Sequence, residues 1–201
     1  AMALAAVDEA YRAHLALGGD LDRAVALDNF CWPDPVASAS TPDGAYKLAQ
    51  LVRACRALRE ACLAYGLPLV SGKDSMKNDA VAEGRKISVA PTLLVTVVGI
   101  VEDVRKALST DFLAPGDLVY VVGGTGGKLG ASILERASGG ASLGPCPLAD
   151  PAEHLGPYRA LARAISGTIG RACHDLSDGG LAAALAESCL GGRLGAEIRL
   201  D

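Results

Sequence analysis

The chain has few aromatic residues and no excess of positive charge. Phe, Trp and Tyr make up 4% of its 201 residues, and the formal net charge is -4. Nucleic-acid-binding domains usually carry a basic face, and single-strand binders add aromatic side chains on which bases stack. The composition therefore argues against a nucleic-acid-binding protein and leaves small aliphatic side chains to fill the core.

Signals for zinc binding, membrane insertion and secretion are also missing. The six cysteines include no CxxC pair, no apolar run is long enough to cross a bilayer, and the amino terminus lacks the basic and apolar regions of a signal peptide. We therefore expect reduced, mostly buried cysteines and a cytoplasmic location. The remaining composition, 50% hydrophobic and 21% charged, is ordinary for a globular protein.

Helical and strand patterns are mixed along the chain, which predicts an α/β (α+β) fold. The opening segment has helical spacing of apolar residues and ends at Gly18-Gly19, and 23–32 reads as a strand. Residues 86–104 are rich in β-branched side chains and predict one or two strands interrupted at Pro91.

Residues 44–65 predict a long amphipathic helix. Thr41 or Asp43 is expected to cap it, Gly66 to end it, and Pro68 to prevent its continuation. The predicted apolar face consists of Leu48, Leu51, Val52, Cys55, Leu58 and Cys62.

A turn signature at Pro115-Gly116-Asp117 predicts a domain boundary, dividing a domain at 1–113 from one at 114–201. After it, 118–124 predicts a buried strand, followed by a glycine turn and a helix from about Leu129 to Arg136. Further helices are predicted at 155–167 and 180–192. The first residues read as mid-helix and 196–201 as the start of a strand, so we expect the chain to be a fragment.

The segment LVSGKDSMKND at 69–79 places four ligand-type groups in a row after an apolar run. Gly72 permits close backbone approach, Lys73 is a point charge, Asp74 suits a divalent cation, and Ser75 can donate to a phosphate oxygen. The pattern predicts a phosphate or nucleotide site on a loop. The alternative is a solvated turn, because Ser, Gly and Asp are common in turns for local reasons.

HDLSDGG at 174–180 predicts a second ligand site. Carboxylates in a turn suit magnesium, and Gly179-Gly180 open a helix whose first amides favour a phosphate. The alternative for Ser177 or Asp178 is an N-cap, and His174 has no assigned role. The glycine-rich GGTGGKLG fails both the Walker and the dinucleotide patterns, which leaves close packing or anion binding at the amino terminus of the following helix.

Together with LDNFCWPDP at 27–35, the strings LVSGKDSMKND and HDLSDGG closely resemble the formylglycinamidine ribonucleotide synthetase family, within the aminoimidazole ribonucleotide synthetase-like superfamily. The resemblance implies a barrel-forming amino-terminal domain followed by part of an α/β carboxy-terminal domain, both from the second half of a tandem enzyme. It also implies ATP, Mg²⁺ and formylglycinamide ribonucleotide as ligands. A glutaminase domain or subunit and the remaining synthetase half would be partners, and the product would be the amidine.

The same resemblance implies roles for individual residues. Asp175 and Ser177 would fall on an auxiliary metal and nucleotide site, and Glu9 on a further metal ligand. The family usually has Asn four residues after that glutamate, where this chain has Ala13, which puts the metal site in doubt. Catalytic residues cannot be assigned. A non-catalytic nucleotide-binding or scaffold half, and another ATP-dependent synthetase of the same superfamily, remain as alternatives.

Overall fold

The computed structural model describes residues 1–199, and its mixture of helices and strands confirms the α/β class. The chain forms two compact units, Ala1–Ala10 with Asp22–Val98, and Tyr11–Leu21 with the chain from Gly99 onward. The domain boundary at 113/114 stays a prediction. In chain order the elements are α1 (Met2–Ala16), β1 (Ala24–Cys31), α2 (Gly44–Tyr65), β2 (Leu69–Ser75), β3 (Asp79–Ala82), β4 (Arg85–Ser88), β5 (Thr92–Gly99), a 3-10 turn (Val104–Lys106), α3 (Ile133–Ala137), α4 (Pro151–Ser166) and α5 (Gly180–Gly192).

The first unit is built on a three-stranded sheet in the order β2-β1-β5. β1 and β2 are parallel, and α2 is the crossover that parallel neighbours require. Their register places Asp28 beside Gly72, and Phe30 beside Asp74. Apolar residues of the unit's core include Val7, Ala26, Phe30, Trp32, Leu58, Ala61, Tyr65 and Leu67.

The predicted helix at 44–65 is confirmed, and its buried face was predicted in part. Leu58 and Cys62 are buried as expected, but Leu48 and Val52 are 47% and 40% exposed. The other buried positions are Gly44, Lys47, Ala54, Ala61 and Tyr65. Small residues and the stem of a lysine thus form much of the buried face, which hydrophobicity alone does not predict. Gly66 ends the helix with a left-handed φ of 66°, as expected. Asp43 occupies the N-cap position without a side-chain cap hydrogen bond.

The strand prediction interrupted at Pro91 is confirmed by the end of β4 at Ser88 and the start of β5 at Thr92. β3 and β4 form an antiparallel hairpin whose two turn residues, Glu83 and Gly84, both have positive φ. The Lys86 ammonium on β4 lies 3.5 Å from carboxylate oxygens of both Asp34 and Asp79. The pair with Asp34 fixes the hairpin to the segment that follows β1, and the pair with Asp79 joins the two strands of the hairpin.

In the second unit, α5 has the predicted bounds, and α4 begins four residues before the predicted 155. The buried strand predicted at 118–124 is wrong: this segment pairs with no strand among the described residues, and Leu118 and Tyr120 are 77% and 78% exposed. An apolar run becomes a strand only where a neighbour satisfies its backbone, and the described chain supplies none here. The helix predicted from about Leu129 is reduced to α3.

Two further expectations need correction. All six cysteines are free, but Cys62 alone is buried, so "mostly buried" was wrong. The strand expected from 196 does not form at 196–199, and the rest of that segment lies outside the described residues. Within residues 1–199 no helix combines the length and apolarity needed to span a membrane.

Candidate functional site

The segment predicted as a ligand-binding loop is a strand. Gly72, Lys73, Asp74 and Ser75 all lie in β2, paired with β1 from Asp28 to Cys31. The prediction of a loop was wrong because turn-forming residue types were weighed without the neighbouring strand, whose backbone satisfies theirs. These residues therefore have fixed directions set by the pleat of the sheet.

Strand geometry separates Lys73 from Asp74. Successive side chains of a strand point to opposite faces. Asp74 shares a face with Gly72 and, by the register, with Asp28 and Phe30 of β1. Lys73 lies on the other face beside Asn29. A cation and a carboxylate adjacent in sequence therefore cannot hold one ligand together on the same side of the sheet.

On the Asp74 face, a cavity of about 320 Å³ lies between α2 and the two parallel strands. Gly72 makes room for one of its carboxylates, because a Cβ at this position would come within 2.3 Å of Asp28 Oδ1. The lining residues are Asp28, Phe30, Leu51, Cys55, Leu58, Arg59, Leu69, Asp74 and Met76.

The electrostatics of the cavity follow from its two carboxylates. Burial, followed by repulsion from Asp74, raises the pKa of Asp28. Burial, and then the charges of Asp74 and Asp28, raise the pKa of the Cys55 thiol. Because the thiolate is the reactive form, Cys55 is poorly suited to act as a nucleophile.

On the opposite face, the Lys73 side chain is exposed and makes no ion pair or hydrogen bond within the described part of the chain. Ser75 differs: its hydroxyl donates to Asn78 Oδ1 at 2.8 Å, and the Asn78 amide donates to the Ser75 carbonyl. The Ser75 side chain thus stabilises the turn after β2. Of the four predicted ligand groups, Lys73 is the one with a charged side chain available to an anion.

The HDLSDGG turn lies in the second unit. Gly179 and Gly180 have φ values of 82° and 61°, which explains two consecutive glycines. Gly179 is the N-cap of α5 and no side chain caps the helix, so the N-cap prediction for Ser177 or Asp178 was wrong. The Gly180 amide donates to the Ser177 carbonyl at 3.0 Å. This bond already uses one of the amides predicted to bind phosphate.

Neighbouring groups also hold this turn. His174 Nε2 lies 2.7 Å from Glu187 Oε2, and its Nδ1 lies 3.8 Å from Asp175 Oδ1. Arg12 donates to the Leu176 carbonyl at 2.7 Å. The histidine thus links the turn to α5.

The predicted metal ligands lie in different units: Glu9 is exposed on α1 in the first, and Asp175 is partly buried in the second. Within residues 1–199 no group of three or more His, Cys, Asp or Glu side chains could hold a metal ion. The described chain therefore does not offer a complete set of protein ligands. Both carboxylates have the oxygen chemistry that Mg²⁺ prefers, and that ion commonly takes its other ligands from water and phosphates.

Sequence reasoning missed Asp28, which lines the cavity together with Asp74. The signal was present, because Asp28 is two residues before Phe30 in a predicted strand and so shares its inward direction. It also missed Arg59, which lies outside the apolar face predicted for α2 but lines the same cavity.

Residues 114–201 match the family model described as AIR synthase related protein, C-terminal domain. Over 98% of its length the chain is 35% identical to the phosphoribosylformylglycinamidine synthase subunit PurL of Gloeobacter violaceus, and equally identical to that of Rhodospirillum rubrum. It spans about a quarter of each relative, 24% and 25% respectively.

Two similar solved structures come from Thermotoga maritima. One is the structure of PurLQS, with a TM-score of 0.36 and 26% identity over 53% of this chain and 16% of that one. The other is PurL complexed with AMPPCP, with a TM-score of 0.36 and 25% identity over 54% of this chain and 16% of that one.

Proposed function

The chain belongs to the sequence family of the phosphoribosylformylglycinamidine synthase subunit PurL, and we propose that it is part of an ATP-dependent ligase of this kind. The proposed reaction converts formylglycinamide ribonucleotide, ATP and glutamine-derived ammonia into formylglycinamidine ribonucleotide in purine biosynthesis. The observation that carries the proposal is the 35% identity over 98% of the chain. The proposed location is the cytoplasm.

The proposed role of this chain in the reaction is to bind a phosphate group on the Lys73 face of β2. Lys73 is exposed, while the neighbouring Asp74 points to a cavity that already contains a second carboxylate. Phosphate would be repelled on that side and attracted to an ammonium on the other. In this proposal Gly72 and Ser75 stabilise the strand and the turn that follows it, and Asp74 lines the cavity on the opposite face of the sheet.

The barrel arrangement and the partners belong to the same proposal. The first unit would contribute its sheet to a barrel-like core completed by the remaining synthetase half, and a glutaminase domain or subunit would supply ammonia. We expect the isolated 201-residue chain to form no detectable amidine, because the chain spans about a quarter of its relatives. The assay is product formation from formylglycinamide ribonucleotide with ATP, Mg²⁺ and ammonium. Turnover by the purified chain would contradict this division of labour.

We further propose that Asp175 and Ser177 bind a nucleotide with Mg²⁺, with Gly179 and Gly180 opening α5 beside it. The ion would stabilise the nucleotide's phosphate charge. Asp175→Asn is then expected to weaken magnesium-dependent ADP binding about ten-fold, because one charged ligand oxygen is replaced by a neutral one. Calorimetry with and without Mg²⁺ measures this effect, and Asp178→Asn in the same turn is the matched control.

One observation favours a second candidate, a non-catalytic scaffold half. Ser75 and the Gly180 amide are both used in internal hydrogen bonds, as expected of residues kept for structure. If calorimetry shows no magnesium-dependent nucleotide binding to the folded protein, and Asp175→Asn behaves like wild type, the scaffold function is preferred for the HDLSDGG turn.

A further inference from the structure

The cavity between α2 and the β1–β2 pair has the size of a small ligand site. Its volume of about 320 Å³ is near the lower end of the range for small-molecule pockets. It lies entirely within the first unit, and it is on the face of the sheet opposite Lys73. A ligand here would therefore be separate from the phosphate proposed above.

The two carboxylates of the cavity favour a positively charged ligand. Asp28 and Asp74 both line it, and their mutual repulsion is evident in the raised pKa of Asp28, after the larger effect of burial. Neither carboxylate forms an ion pair within 4 Å in the described part of the chain. A cation placed between them would relieve the repulsion, whereas an anion would add to it.

The other lining residues favour a ligand with an apolar part. Most of the other lining side chains are apolar: Phe30, Leu51, Leu58, Leu69 and Met76. A hydrated metal ion gains nothing from such walls, and residues 1–199 contain no group of three or more His, Cys, Asp or Glu side chains that could hold one. A short alkyl chain does gain, since burying its methylenes removes apolar surface from water.

We propose that this cavity binds a small organic ammonium ion, with the charged nitrogen at Asp28 and Asp74 and an apolar body against Phe30, Leu51 and Leu58. Arg59 lines the same cavity and carries the same sign of charge as this ligand. It therefore weakens binding and limits the site to ligands whose apolar part compensates for that repulsion.

The experiment uses n-pentylammonium as the probe and n-pentanol as its neutral counterpart, with the full 201-residue chain at low ionic strength. We expect a larger rise in melting temperature with the ammonium ion than with the alcohol, because a ligand that binds the folded state stabilises it. Asp74→Asn should weaken ammonium binding about five-fold without changing the response to the alcohol. Arg59→Gln should strengthen it by a similar factor.

Glu60→Gln is the matched control, since it removes a carboxylate from the exposed part of α2 without touching the cavity lining. Direct titration of the folded variants by NMR separates a loss of binding from a loss of stability. Equal responses to n-pentylammonium and n-pentanol would overturn the proposal. So would a stronger response to Mg²⁺ than to the ammonium ion, or tighter binding in Asp74→Asn, and none of these outcomes depends on the ligase function.

Discussion

Replacing Trp32 with alanine is expected to lower the free energy of unfolding by about 3–5 kcal/mol. Trp32 is 1% exposed and packs edge-on against Phe30 with ring centroids 5.8 Å apart. Its indole nitrogen donates to the Lys47 carbonyl on α2 at 3.0 Å. The substitution therefore leaves a large cavity and also removes a contact between the end of β1 and the crossover helix.

Trp32→Phe separates these two effects. It keeps most of the ring volume and loses the hydrogen bond to Lys47, so we expect a smaller loss of about 1–3 kcal/mol. Urea denaturation followed by circular dichroism suits all three proteins, since Trp32 is the one tryptophan of the chain and its fluorescence disappears in both variants. If the free energy of unfolding of Trp32→Ala lies within about 1 kcal/mol of the wild-type value, the packing described for this unit is wrong.

Gly44→Ala is expected to destabilise the protein by about 1–3 kcal/mol, although alanine normally favours a helix over glycine. A Cβ at this first residue of α2 would lie 2.3 Å from the Val36 carbonyl carbon and 2.4 Å from the Ala37 nitrogen. Both are backbone atoms, so no side-chain rotation can relieve the contact. The segment before α2 would have to move.

Gly156→Ala is the matched control, because Gly156 lies inside α4 and a Cβ there would meet no atom within 4 Å beyond its chain neighbours and its own helix backbone. The gain in helix propensity is opposed by Pro157, whose ring crowds a Cβ on the preceding helical residue, so we expect a net change within about 1 kcal/mol. Gly44→Ala should therefore lower the melting temperature by more than Gly156→Ala changes it. Equal shifts in both variants would show that the close approach of Val36 to α2 is not tight.

Regular periodicity predicted most of the secondary structure. The bounds of α2 and α5 follow from apolar spacing and from glycines that end or open a helix, and Pro91 separates β4 from β5 as expected. The wrong predictions concern segments in which the presence of a neighbouring strand decides whether a strand forms. Residues 118–124 have strand composition and no partner strand among the described residues, whereas Gly72-Lys73-Asp74-Ser75 have turn composition and pair with β1.

The candidate site shows the same limit. Sequence reasoning identified Lys73 and Asp74 as chemically useful, but the register with β1 places them on opposite faces. Asp28 and Arg59 reach the cavity from two other elements, so their proximity to Asp74 depends on tertiary packing. The family resemblance, in contrast, could be recognised from three short sequence strings. Their residues and their order along the chain are specific even where their conformation was not predicted.

The most direct test is the Lys73→Ala variant of the full-length protein for which we propose the ligase activity. ATP- and ammonia-dependent formation of formylglycinamidine ribonucleotide should fall about 10- to 100-fold, the loss expected when one charged contact to a phosphate is removed. The melting temperature should change little, because Lys73 is exposed. Arg53→Ala, which removes an exposed cation from α2, should leave the rate unchanged. Wild-type kinetics in Lys73→Ala would contradict the proposed phosphate contact and would indicate that β2 has only a structural role.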